Sequence, residues 1–515
     1  AGGEALAQAI AAGLEGQAVL TGASQHRGLL ALDGFGRSWG WRRGAGDWDG
    51  LVKAAQRGEA IQLEHRRGQP LWQQLDGLSA QTALNSGTMP RSDAPGGESA
   101  PAPNATGSVG PALVVDIHQG PGCRWHPPAL WLGLGCERGT SLSLLERAVG
   151  EALSARGLAP EAVAGLASAT RKADEPALLE LAERQGWPLR CFSSQELAAV
   201  PVPNPSEAVL AELGTASVAE AAALLAAGPG GELLQEKRIE RAGSGEQGAA
   251  TVAIACAAQQ WAPQRGQLHL VGSGPGSLDL LTPDARRALA ESSVWVGYGL
   301  YLDLLEPLRR PDQLRREGQL TQERERCREA LQLACQGLTV ALVSSGESGI
   351  YGMAGLALEQ WLELAEGDRP AFSVHPGISA LQLAAARAGA PLMHDFCTIS
   401  LSDRLTPWEV IERRLQAAAA GDFVVALYNP RSRGRDWQLG RARELLLAGG
   451  RPAHTPVVLA RQLGRAEEAV SLHSLGDLPL EQVDMLTLVL IGNSSTRQAS
   501  GRVVTPRGYP GAALS

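Results

Sequence analysis

Short apolar runs alternate with helix-length segments through most of the chain. Between residues 110 and 262 the runs ALVVDIHQ, ALWLGLGCERGT, VAGLASAT, LRCFSS and TVAIACAAQ are separated by helical periods from about Ser141 to Arg156 and from Pro176 to Gln185. Runs this short between helices predict a parallel sheet covered by helices, and so one α/β domain over 110–262. A second set begins at QLHLVGSGPG and continues through VWVGYG, TVALVSSGES, FSVHPG, CTISLSD, DFVVALYNP, PVVLAR and LTLVLIGN. Each run ends in a small or polar turn cluster, and an open α/β sheet gathers such loops at the carboxyl ends of its strands, where ligands bind. The segment GISALQLAAARAGAP reads as a joint that divides 263–380 from 381–515. Ahead of both sets, residues 1–84 carry a helical period (EALAQAIAAGL), a candidate strand (QAVLTGA) and a second candidate helix (LLALDGFGRSWGW), the end of a domain. Residues 85–109 have no apolar period and are rich in Pro, Gly, Ser and Ala, which predicts a flexible linker.

Composition narrows the class. A chain of 515 residues with 44% hydrophobic content and a formal net charge of -8 buries several cores and is not disordered as a whole. Glycine is abundant, at 62 residues, but no Gly-X-Y period organises it. Only Lys53, Lys172 and Lys237 are lysines among 46 basic residues, a bias that genome composition explains better than anion binding at every site. The acidic balance and the lack of a basic tract argue against nucleic-acid binding. No uninterrupted apolar run of about 18 residues predicts a membrane span. The opening segment has no signal-peptide pattern, and seven scattered Cys without a CxxC pair fit reduced thiols of a cytoplasmic protein. The same spacing disfavours a zinc site or any other metal site.

Candidate chemistry sits in the glycine turns. The run Val271-Gly272-Ser273-Gly274-Pro275-Gly276 follows a strand, but Pro275 removes a donor and the helix begins only at TPDARRALA. It is therefore neither a dinucleotide fingerprint nor a Walker loop. SSGESGIYGMAGLALE and VHPGISAL supply two more strand-to-helix turns, with Gly346, Gly349 and Gly352 leaving bare backbone for a ligand. Three such turns without a phosphate-binding lysine suit a nucleoside held by backbone groups; a purely structural turn is the alternative for each one taken alone.

On these motifs, together with HPGISALQLAAARAGAPLMHDFCTISLSD, DFVVALYNPRS, DMLTLVLIGNSSTR and VTPRGY, the chain from about 267 to 510 resembles the precorrin-3B C(17)-methyltransferases of the tetrapyrrole methylase family. The resemblance implies a two-lobed α/β methylase fold, a homodimer, S-adenosylmethionine in a cleft between lobes, and methylation of a corrinoid at C17 with ring contraction. Carried over residue by residue, it implies cofactor contacts from Gly274, Pro275, Gly276, Gly346, Glu347, Gly349, Ile350, Tyr351, Ser379, Ala380, Ser400, Leu401, Tyr428, Asn429, Gly492 and Asn493. Glu347 stands where the family usually has Asp. His394, Asp395 and Asp403 are the polar candidates for catalysis, and Arg431, Arg433 and Arg435 the candidates for pairing with substrate carboxylates. For each, a hydrogen-bonded structural role or a solvated loop is the alternative.

In the smaller α/β domain, Cys136 ends a strand, with Arg138 and Thr140 at the start of a helix whose N-terminus would favour anions and lower the thiol pKa; a buried Cys beside a structural cap is the alternative. With ASATRKADEPALLELAERQGWPL and the extended loop presenting Asn204 and Ser206, residues 110–260 resemble the cobalt-precorrin-5A hydrolases, which open a lactone and release acetaldehyde. That resemblance implies acid-base roles for Lys172, Asp174 and Glu175, and substrate contacts from Arg138, Asn204 and Ser206. Because the chain begins inside the resemblance, the family's front subdomain is expected to be absent. The expectation is a bifunctional fusion, the alternative for its front half being a corrinoid carrier without catalysis.

Overall fold

In the computed structural model the described residues are 31–75, 82–83, 111–207, 210, 215–261, 265–319, 321–432 and 434–510. The segment expected as a linker, and the helix and strand expected before residue 31, lie outside them.

The front sheet holds β1 (Arg42–Arg43), β2 (Ile61–His65), β3 (Thr82–Ala83), β4 (Ala112–Val115) and β5 (Cys123–His126) in the order β1-β5-β4-β2-β3. This corrects two expectations. The run ALVVDIHQ does not open the middle domain; β4 pairs in parallel with β2, setting Leu113 beside Leu63. Nor do the described residues of LLALDGFGRSWGW form an α-helix. They make a single 3-10 turn, Phe35–Trp39, ended by Gly40 at φ 73°. A Cβ on Gly36 would lie 2.2 Å from the Trp125 ring, so glycine is required for the turn to rest on that indole. The described residues of the front unit are well packed. Trp39, Trp41, Trp48, Trp72 and Trp125 share one core with Leu113 and Val115 and with Leu268, Leu270, Val340 and Leu342 of the carboxy-terminal half.

The middle sheet contains β6 (Leu130–Cys136), β7 (Val163–Ala169), β8 (Leu189–Phe192), β9 (Glu232–Arg241) and β10 (Ala249–Cys256), ordered β8-β7-β6-β10-β9. Here β6, β7 and β8 are parallel while β10 runs antiparallel to both β6 and β9, so the sheet is mixed where a parallel one was expected. The overlooked strand is ELLQEKRIER. As an edge strand with one side open to water it needs no apolar run, so no hydrophobic signal announced it.

The first lobe of the carboxy-terminal half is fully parallel: β11 (Gln267–Gly272), β12 (Val294–Tyr298), β13 (Leu314–Gly318), β14 (Thr339–Ser344) and β15 (Ala371–His375), ordered β13-β12-β14-β11-β15. Alternation decides its two faces. Leu268 and Leu270 enter the tryptophan-rich core, and Val271 packs with Ala285 and Leu289 of the helix Pro283–Glu291. The register puts Gly272 beside Ser344 and Val271 beside His375, so the three glycine turns leave the sheet at one edge.

The helix Ala380–Ala388, opened by a Ser379/Gln382 capping box, seats Leu381 and Leu383 in a core with Val424 and Leu488 and thereby joins the lobes. The second lobe opens with the short β16 (Gly389–Ala390). Its main sheet holds β17 (Phe396–Ser400), β18 (Val424–Tyr428), β19 (Pro456–Arg461), β20 (Ala469–Ser474) and β21 (Thr487–Ile491), ordered β17-β18-β21-β19-β20, while β22 (Arg497–Ala499) and β23 (Arg502–Val504) join β16. Only β17 and β18 are parallel in the main sheet. Among the described residues no helix is long and apolar enough to cross a membrane.

Candidate functional site

At the edge of the first lobe the three glycine turns touch through bare backbone. Gly346 N–H donates to the Gly274 carbonyl at 2.7 Å and Gly274 N–H donates back to Gly346 at 3.1 Å. A Cβ on Gly377 would stand 2.0 Å from the Gly346 oxygen, and one on Gly272 would stand 2.6 Å from the Gly377 nitrogen, so side chains there would force the turns apart. Glu347 fastens them. Its carboxylate accepts from Gly349 N–H at 3.0 Å and from Gly377 N–H at 2.8 Å, bridging the second turn to the third.

These turns form one wall of a pocket of about 190 Å³ whose other wall is the second lobe. Of the expected cofactor residues, Pro275, Gly346, Glu347, Ile350, Tyr351, Ser379, Ala380, Tyr428 and Asn429 line it. The backbone is held unusually there. Tyr351, Asn429 and Gln462, with φ of 53°, 51° and 49°, are three of the six non-glycine residues at positive φ among the described ones, a conformation that costs roughly 1–3 kcal/mol each and concentrates at ligand sites. The rings of Tyr351 and Tyr428 lie 5.2 Å apart. The Tyr428 hydroxyl accepts from Leu381 N–H at 3.2 Å, and burial raises its phenol pKa above the usual value.

Sequence reasoning missed Tyr301, Gln462, Arg465 and the segment 485–488, which also line the pocket. Gln462 and Arg465 were recoverable in part, since QLGRAEE directly follows the strand PVVLAR, as the other ligand turns follow theirs. Arg465 is half-buried, and no side-chain hydrogen bond or ion pair engages its guanidinium among the described residues. A Cβ on Gly276 would lie 2.8 Å from Arg465 Cγ, so GSGPG serves as packing surface for that arginine.

Other expected residues do not reach the pocket, for one reason above all. The expectation treated every strand end as belonging to one edge, which holds only for parallel strands. Because β21 runs antiparallel to β18, pairing Ile491 with Val425, its carboxyl end carries Gly492 and Asn493 to the far side of the sheet. There Gly492 accepts from the buried Arg451 at 3.0 Å and Asn493 Oδ1 accepts from Ser495 N–H at 3.1 Å. His394 and Asp395 precede β17 and lie exposed at that same far end, where the Asp395 carbonyl accepts from Val424 N–H. Gly349 leaves the lining but holds Glu347, and Gly274 contributes the backbone pairing described above.

Ser400, Leu401, Asp403 and Arg435 form a brace behind the pocket. Ser400 Oγ accepts from Asn429 Nδ2 at 3.0 Å, Asp403 accepts from Gln438 at 3.1 Å, and the Leu401 side chain is fully buried in the core. Arg435, expected to pair with substrate, donates instead to the carbonyls of Leu401 and Asn429 at 2.9 and 3.1 Å, fixing the strained Asn429. Arg431 donates to the Leu480 carbonyl at 2.9 Å, and Arg433 lies outside the described residues.

In the middle unit the expected group does assemble at the carboxyl ends of β6 and β7. Arg138 donates to Asp174 at 2.7 Å and to the Arg171 carbonyl at 2.6 Å, Gly139 N–H donates to Glu175 at 2.9 Å, and Lys172 Nζ stands 3.7 Å from Glu175. The expected activated thiol is corrected: burial outweighs the nearby Lys172, and Cys136 is pushed up to about 11. Asn204 is not presented to a substrate, because both its amide hydrogens go to Glu220 and Glu236, each at 2.9 Å. Ser206 donates its backbone N–H to Ala216.

Parallel lobe, glycine turns and interlobe pocket together define a class. Residues 267–479 match the Tetrapyrrole (Corrin/Porphyrin) Methylases, and residues 130–255 match the Cobalamin synthesis G C-terminus. The chain belongs to the tetrapyrrole methylases, which use S-adenosylmethionine, and joins such a methyltransferase to a cobalamin-synthesis domain. It is 47% identical over 244 residues to the probable cobalt-factor III C(17)-methyltransferase of Salmonella typhimurium, covering 99% of that protein and 47% of this chain. It is 44% identical over 253 residues to the precorrin-3B C(17)-methyltransferase of Sinorhizobium sp, covering 98% of that protein and 48% of this chain. A solved structure, the methyltransferase CobJ, is 40% identical with a TM-score of 0.45 and covers 47% of this chain and 100% of its own.

Proposed function

We propose that the carboxy-terminal half transfers a methyl group from S-adenosylmethionine to C17 of precorrin-3B or its cobalt counterpart and promotes ring contraction. The reading is supported by the interlobe pocket, which gathers nine of the expected cofactor residues around backbone held at positive φ. At about 190 Å³ it suits one end of such a cofactor, and its lining fits that end: turns of bare backbone, two tyrosine rings and an arginine with no side-chain partner among the described residues to take a carboxylate. When bound, S-adenosylmethionine supplies an electrophilic methyl group on a sulfonium. The chain's part is alignment and exclusion of water. Ser379, Ala380 and Tyr351 would orient the cofactor, Arg465 would hold its carboxylate, and Met485 and Leu486 would keep the cleft apolar. His394 and Asp395, at the far end of β17, take no part in proton transfer. A homodimer through this half is part of the proposal. Incubation with a labelled methyl donor, read by NMR, should place the label on C17; label on another carbon would overturn the assignment.

For the middle unit a second reading, a corrinoid-holding module rather than a lactone hydrolase, is favoured by the ion network. Asp174 and Glu175 are both engaged by Arg138, and the Cys136 thiol is held protonated. Full-length protein given the lactone substrate should release no acetaldehyde; release at a catalytic rate would restore the hydrolase reading.

A further inference from the structure

A second cavity, of about 810 Å³, lies where the middle unit meets the first lobe of the methylase. The middle unit contributes Trp131 from β6 and Arg190 from β8, with Trp261 beyond β10. The first lobe brings Arg265, Asp368, and Arg324 with Arg328 one turn apart on the helix Glu323–Cys335. Arg190 lies over both indoles, 5.0 Å from Trp131 and 4.5 Å from Trp261, and Arg265 lies 3.7 Å over Trp261. Asp368 pairs with Arg190 and, at 2.5 Å, with Arg265. The side chains of Arg324 and Arg328 are exposed and have no partner among the described residues.

The Trp131 indole N–H, Arg265 Nε and Gln360 Oε1 of the lining residues are buried and have no hydrogen-bond partner among the described residues. Four guanidinium groups face the two carboxylates of Asp368 and Glu363, a local positive excess in a chain of net charge -8. Guanidinium forks match carboxylates, guanidinium planes stack on flat conjugated rings, and the volume falls within the range of about 300–1,000 Å³ typical of ligand sites.

We infer that this cavity is a second binding site, separate from the methyl-transfer cleft, for a flat conjugated macrocycle bearing several carboxylates. The inference rests on the reading that the chain handles tetrapyrroles, and it places a holding site for them between the two halves.

The test titrates the full chain with uroporphyrin III, an octacarboxylate porphyrin, following tryptophan fluorescence and calorimetric stoichiometry. The double variant Arg324→Gln, Arg328→Gln is compared with wild type, and S-adenosylhomocysteine binding is measured for both. Both residues are exposed and thermal unfolding will confirm that the variant folds. The expected result is at least a tenfold weaker macrocycle affinity in the variant, with weaker tryptophan quenching and unchanged S-adenosylhomocysteine affinity. Equal macrocycle binding by variant and wild type, or none by wild type, overturns the inference. Failure of the methyltransferase reading would look different: wild type would neither bind S-adenosylhomocysteine nor transfer a methyl group, whatever the macrocycle titration gave.

Discussion

The interlobe pocket and the Cys136–Glu175 cluster occupy equivalent places, each at the carboxyl ends of strands where a turn leads into a helix, yet they differ in what is left unmet. In the pocket, Tyr351, Asn429 and Gln462 are held at positive φ and Arg465 has no ion-pair partner among the described residues. In the cluster, Arg138 answers Asp174, Glu175 takes the Gly139 N–H and the thiol stays neutral. Topology nominates both positions. Unspent hydrogen-bonding capacity and maintained strain separate a ligand site from a structural joint.

The sharpest way to break that contrast is Gly377→Val. With the Cβ position only 2.0 Å from a carbonyl, the turns cannot meet, and we expect S-adenosylhomocysteine binding by calorimetry to fall at least ~100-fold with about 3 kcal/mol lost in stability. Unchanged binding would remove the turns from the site. Next is Glu175→Ala, which strips the acceptor from Gly139 and strands Lys172. Denaturant unfolding should show a loss of about 2–3 kcal/mol while S-adenosylhomocysteine affinity stays the same. A stable variant that loses only a corrinoid reaction would make the cluster catalytic after all. Arg465→Met should do the reverse, weakening cofactor binding roughly 10- to 30-fold without moving the Tm, as expected for a lost charge-assisted hydrogen bond.

The thiols sharpen the comparison further. Burial pushes Cys136, Cys123 and Cys256 up to about 11 and Cys327 to about 12. A folded pKa above the unfolded one means a contribution fully present below about pH 9 and lost as pH climbs through 11. Thermal unfolding should therefore fall across pH 9–11, and iodoacetamide at pH 8 should modify Cys136 far more slowly than a free thiol. Rapid alkylation would mean an activated cysteine.

Much of this was legible in the residues. Glycines at strand-to-helix turns, in GSGPG and SSGESGIYG, located one wall of the pocket because close backbone approach needs them, as the Gly377 contact makes plain. Strand direction was not legible. The run LTLVLIGN is equally apolar whether β21 lies parallel or antiparallel to its neighbours, so Gly492 and Asn493 were assigned to the wrong end of the sheet. The front sheet was hidden for a related reason: β4 finds its partner about 50 residues away, and a pairing at that distance leaves no mark on local periodicity. Arg435 shows a third limit. An arginine after a strand reads as a substrate contact, and only its two carbonyl partners reveal a brace.

The smallest expected effect concerns Glu347, where the family resemblance anticipates Asp. Its two oxygens reach Gly349 N–H and Gly377 N–H at once, and the second bond crosses from one turn to another. Asp, one methylene shorter, keeps the local bond to Gly349 but falls short of Gly377, leaving one backbone donor without its acceptor. Glu347→Asp should thus cost about 1 kcal/mol of stability and weaken S-adenosylhomocysteine binding about fivefold, both small because the paired Gly274 and Gly346 backbones still hold the turns together. If Asp instead tightened binding, the carboxylate would be contacting cofactor directly, and the pocket wall would be a charged surface in place of the bare backbone inferred here.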